Sequence, residues 1–158
     1  MRRLSAVLLA GAILTLPAFS QSAFAQEAAA QKPAAPPKTT YTGDAVLIAY
    51  SINPGKNADY EKVIEQVKAG LQKSARPEAK QQLAGWKVIK NSAAQPDGSS
   101  VYVHIISPIV ADADYSLTNI VYETATDDEK RAFYDLYKGA LMKPLFQISG
   151  PMALDFAK

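Results

Sequence analysis

Apolar and polar positions change period several times along the chain, and each change marks an element. Residues 44–53 (DAVLIAYSIN) form a β-prone apolar run, closed by the turn residues Asn53, Pro54 and Gly55. From Asn57, which can cap a helix, the spacing turns helical: Tyr60, Val63, Ile64, Val67 and Leu71 recur with charges between them. Gly70 costs this helix about 1 kcal/mol relative to Ala, enough to bend or stop it. A short second helix is predicted from Pro77 through Leu83, closed by Gly85. Residues 86–91 (WKVIKN) and 100–109 (SVYVHIISPI) read as two strands of a hairpin joined through Gln95-Pro96-Asp97-Gly98. Residues 112–125 are irregular, with one helical turn predicted over 117–122. Thr126 and Glu129 fit a capping box, and Phe133, Leu136, Tyr137, Ala140 and Leu141 form the apolar stripe behind it, ended by Lys143-Pro144. A last strand is predicted over 146–156, broken at Gly150-Pro151 and suited to a sheet edge.

The order is β-α-β-β-α-β, the split pattern of ferredoxin-like α+β domains: an antiparallel sheet with both helices on one face. The other face must be covered by something else. In the third strand the aliphatic set Val101, Val103, Ile105 is expected under the helices, and the set Tyr102, His104, Ile106 in a lined cavity or an interface. Neither set of the first strand is polar (Val46, Ile48, Tyr50, Ile52 against Ala45, Leu47, Ala49, Ser51), which points to a homodimer whose second subunit covers the sheet face carrying Tyr102 and His104.

Ahead of this domain, Arg2-Arg3, an apolar run of 16 residues over 4–19 and Ala23-Phe24-Ala25 make a secretory signal peptide over 1–25. The run is shorter than the roughly 20 residues that span a bilayer. The expected product is periplasmic or secreted, with no membrane anchor after cleavage. Residues 26–43, rich in Ala and Pro, read as a disordered linker, leaving 44–158 as the domain. Without Arg2 and Arg3 the chain carries 15 basic and 15 acidic residues, which lacks the cationic surplus of a nucleic-acid binder. There is no cysteine, so no disulfide or thiolate metal site forms.

The element order, the first run VLIAYSINPG, the strand GWKVIK and the hairpin SAAQPDGSSVYVHIISP resemble the dimeric α/β-barrel superfamily, including antibiotic-biosynthesis-monooxygenase-type domains, over about residues 44–157. The resemblance implies two ferredoxin-like subunits packed sheet to sheet around small-molecule cavities. The superfamily hosts cofactor-free monooxygenases, haem-degrading enzymes and members without known activity, so the fold does not fix the chemistry. The haem-degrading members use an Asn, a Trp and a His. Here Asn53, Trp86 and His104 stand on strands or their ends, whereas the ligating His of those enzymes is helical, and no role is carried over.

His104 is the sole histidine, so a multi-imidazole zinc site is ruled out and the sequence calls for no metal or other cofactor. It is a wall or interface residue, or else a general base. Tyr50, Trp86 and Tyr102 are expected to line a ligand site with it, although an ordinary core would use the same residue types. The acid pair Asp112/Asp114 matches no calcium-loop spacing, and Asp127/Asp128 suit a helix N-terminus. No nucleophile elbow, phosphate loop or zinc-protease motif occurs. Three functions fit: an exported small-molecule-binding or accessory protein; a cofactor-free or haem-assisted monooxygenase acting on a small aromatic substrate; or a structural, partner-binding domain.

Overall fold

The computed structural model describes residues 37–156 apart from residue 94. The leader predicted over 1–25 and most of the predicted linker lie outside the described residues. In chain order the elements are β1 (Ala45–Ile52), α1 (Asn57–Lys73), α2 (Ala79–Gly85), β2 (Trp86–Lys90), β3 (Ser100–Ile106), α3 (Leu117–Tyr122), α4 (Asp127–Ala140) and β4 (Leu141–Gly150). The strands form one antiparallel sheet in the order β2-β3-β1-β4, an α+β arrangement compatible with a ferredoxin-like fold. No helix among the described residues is long and apolar enough to cross a membrane.

The register places Val46, Ile106 and Trp86 in one row across the sheet, Ile48, His104 and Val88 in the next, and Tyr50 and Tyr102 in a third. Strand side chains alternate between faces, so these residues share one face. That face is covered: Ile52 and Tyr102 join Tyr60, Val63, Val67 and Leu71 of α1 and Phe133 and Ala140 of α4 in the main core. Val46, Ile48 and Ile106 pack against Ala113 and Tyr115 of the loop ahead of α3. This reverses the expected sidedness of β3. The helices lie over Tyr102, His104 and Ile106, and Val101, Val103 and Ile105 face away from them. The bulkier set of β1 goes under the helices, where the depth is. Small Ala49 and Ser51 sit on the opposite face, closed over by their neighbours.

Three local readings also change. α1 runs through Gly70 to Lys73, because a Cβ at Gly70 would stand 2.9 Å from the Ile120 carbonyl oxygen; the glycine admits α3 at close range. Asn57 is the first helical residue rather than the cap, and Lys56 stands at the cap position without a side-chain hydrogen bond to the helix backbone. α4 ends at Ala140 and β4 begins at Leu141, so Pro144 lies inside a strand. β4 pairs only with β1, and its register shifts beside Pro144, so the missing amide donor is tolerated. The Thr126–Glu129 capping box forms as predicted.

Segment 112–125 packs into the molecule. Leu117, Ile120 and Val121 are buried, and Asp114 fixes the loop by accepting from the amides of Thr39 and Ser116 through Oδ1 and from Asn119 Nδ2 through Oδ2. Gln82 of α2 donates to the Asp114 carbonyl at 2.9 Å. Ahead of β1, Tyr115 N–H donates to the Thr39 carbonyl and Tyr41 packs on the Tyr115 ring.

Candidate functional site

At the β2 edge the helices meet the sheet imperfectly. α2 has seven residues and β2 five, and between them, α1 and α3 lies a cavity of about 350 Å³. One helical stripe of α1 supplies Ile64, Val67, Lys68 and Leu71. Leu83 comes from α2, Trp86 and Val88 from β2, His104 from β3 and Leu117 from α3.

His104, 2 % exposed, forms the polar centre of the wall. Its Nδ1 faces the indole Nε1 of Trp86 at 3.0 Å, and its Nε2 faces the Tyr60 hydroxyl at 2.8 Å. An indole N–H only donates, so Nδ1 must be an acceptor and the proton of the neutral ring sits on Nε2. Nε2–H then donates to the Tyr60 oxygen. Both ring nitrogens are engaged inside the protein, as a buried polar side chain requires. Burial lowers the imidazole pKa to about 4. Burial also raises Tyr60 well above the usual phenol range, with neighbouring tyrosines adding to the shift.

This arrangement restricts the chemistry open to His104. To accept a proton at Nδ1, the ring must first lose the Trp86 bond. An iron ion would need the same lone pair, so haem ligation by His104 does not fit the geometry. Among the described residues no group of three His, Cys, Asp or Glu side chains converges as metal ligands.

The four predicted site residues are neighbours, but they do not share one chamber. Trp86 and His104 line the main cavity. Tyr50 meets His104 edge-on, with ring centroids 5.3 Å apart, and lines a separate crevice with Tyr41, Tyr115 and Tyr137. Burial pushes its phenol far up, and Tyr137 and Tyr41 add to this. Tyr102 is turned toward α1: its hydroxyl donates to Glu61 Oε1 at 2.7 Å, and Lys90 Nζ reaches the same oxygen at 2.9 Å. The Tyr102 and Lys90 hydrogen bonds hold the Glu61 carboxyl below its ordinary range.

Sequence reasoning missed Tyr60 as the partner of His104, and Lys68 as a wall residue. The only signal for Lys68 was its position four residues after Ile64 and three before Leu71, inside the apolar stripe of α1.

The opposite sheet face carries Leu47, Ile105, Ile148, Val103, Ile89 and Phe146 across the four strands. Among the described residues no helix lies over it. Ile148 is 64 % exposed, Ile89 55 % and Phe146 47 %. Comparison with protein-family models, with curated proteins and with solved structures gives no match.

Proposed function

We propose that this chain is an exported small-molecule-binding protein, built as a ferredoxin-like subunit, that holds an apolar ligand between its helices and its sheet. The observation that carries the reading is the mutual satisfaction of Trp86, His104 and Tyr60. The ring nitrogens of Trp86 and His104 are taken up by bonds inside the protein, so the wall these two form with Ile64, Val67, Leu71, Leu83, Val88 and Leu117 is apolar toward the cavity, and Lys68 is its one free polar side chain. Ligand pockets are built this way, mostly apolar with few free polar groups. The same bonds weigh against His104 as a base and so against the monooxygenase reading.

Trp86 is the sole tryptophan and lines the cavity, so its fluorescence reports on occupancy. The expected result is a saturable change in Trp86 emission with a small apolar probe such as 4-tert-butylbenzyl alcohol. Val88→Phe, which fills the cavity without adding a second tryptophan, should abolish it. An unchanged emission in the wild type, or an undiminished change in Val88→Phe, refutes the reading.

The homodimer belongs to the same proposal, with its seam on the face that Leu47, Val103, Ile105, Phe146 and Ile148 occupy. A row of exposed aliphatic and aromatic side chains across a whole sheet exceeds the scattered apolar residues of an ordinary monomer surface. The seam is thus opposite the imidazole, and each subunit's cavity is its own. Sedimentation should give a dimer at micromolar concentration and a monomer for Ile148→Lys. A monomeric wild type refutes the seam and leaves the cavity reading standing.

A further inference from the structure

We infer that the ligand of this cavity is an apolar molecule bearing one acidic group, whose anion is held by Lys68 while its body lies against Trp86, Val88 and the α1 stripe. The inference rests on the binding reading above and names the chemistry of its ligand.

The argument begins with what the lining lacks. Of the nine residues around the cavity, six are aliphatic, and His104 and Trp86 have their ring nitrogens occupied by the bonds already described. No acidic residue lines the cavity. Lys68 therefore supplies the one polar group of the wall that no hydrogen bond or ion pair ties to the protein.

Position completes the argument. Lys68 is exposed although its helical neighbours Val67 and Leu71 are buried, and it stands on the stripe of Ile64 and Leu71. A lysine so placed lays its methylene stem along apolar surface and keeps the ammonium at the water boundary. That puts a cation at the mouth of an apolar chamber, where a carboxylate stays partly hydrated while the hydrocarbon is buried. At the packing density of an organic liquid, about 350 Å³ accommodates roughly ten to fifteen non-hydrogen atoms. A substituted benzoate or a medium-chain carboxylic acid has that size.

The test compares two probes with one body, 4-tert-butylbenzoate and 4-tert-butylbenzyl alcohol, by titration calorimetry on the mature full chain. The wild type should prefer the acid by about five- to tenfold, as expected of a partly shielded ion pair. Added salt should erode the preference. Lys68→Met, which retains the apolar stem, should bind both probes alike, and Lys68→Arg should keep the preference. If both probes bind and Lys68→Met leaves their ratio as in the wild type, the Lys68 assignment is overturned while the cavity stands. If neither probe binds the wild type, the cavity reading fails and this inference falls with it.

Discussion

Lowering the pH should destabilise this protein through one imidazole, by an amount the structure allows to be worked out. In the unfolded chain His104 titrates near 6.5, and in the native state burial lowers its pKa to about 4. Between those two values the unfolded chain holds a proton that the native state does not, so stability rises with pH across the window. The contribution is complete above the unfolded value and is lost progressively as pH falls toward the native one. Each unit is worth about 1.4 kcal/mol, so passing from about pH 7.5 to about pH 5 should remove about 2 kcal/mol. His104 is the only histidine, and the carboxyl groups titrate mostly below about pH 5, so little else contributes in this interval. Urea unfolding at the two pH values gives the difference directly. His104→Gln should be less stable at both and should lose the difference between them. An NMR titration of the wild-type ring checks the origin independently of any variant. A midpoint near 6.5, or equal stability at the two pH values, would refute the assignment of a neutral imidazole locked between Trp86 and Tyr60.

Other substitutions test the packing and the hydrogen bonds. Trp86→Phe removes the only donor to Nδ1, so the imidazole midpoint should move up toward its ordinary value in the same NMR titration. Gly70→Ala places a Cβ against the Ile120 carbonyl, and the clash should outweigh the gain in helix propensity, lowering stability in urea by about 1–3 kcal/mol. Thr126→Ala breaks the capping box of α4 and should cost about 1 kcal/mol, read as a lower melting temperature with unchanged probe binding.

Much of the fold was legible because it is written in local periodicity. The run beginning at Ala45, the helical spacing from Tyr60 to Leu71, the turn at Pro96-Asp97-Gly98 and the Thr126–Glu129 box each depend on residues a few positions apart. The boundary at Leu141 was misread because its spacing continues the stripe of α4. Only pairing with β1 makes it the first residue of a strand. Gly70 was read as a propensity cost, whereas its use is to let a backbone fifty residues later come close.

The sequence by itself determined the order of the elements and the presence of an apolar surplus on both faces of the sheet. It also determined that one histidine and one tryptophan were available to a site. Which face lies under the helices was decided only in three dimensions. Alternation divides a strand into two sets without saying which is inside, and in β1 and β3 both sets are largely apolar. His104 looked too polar for a core because its partners were invisible: Trp86 lies 18 residues away and Tyr60 lies 44 away. A polar side chain is tolerated inside a protein when its hydrogen bonds are made there, and that condition is met only once the chain has folded.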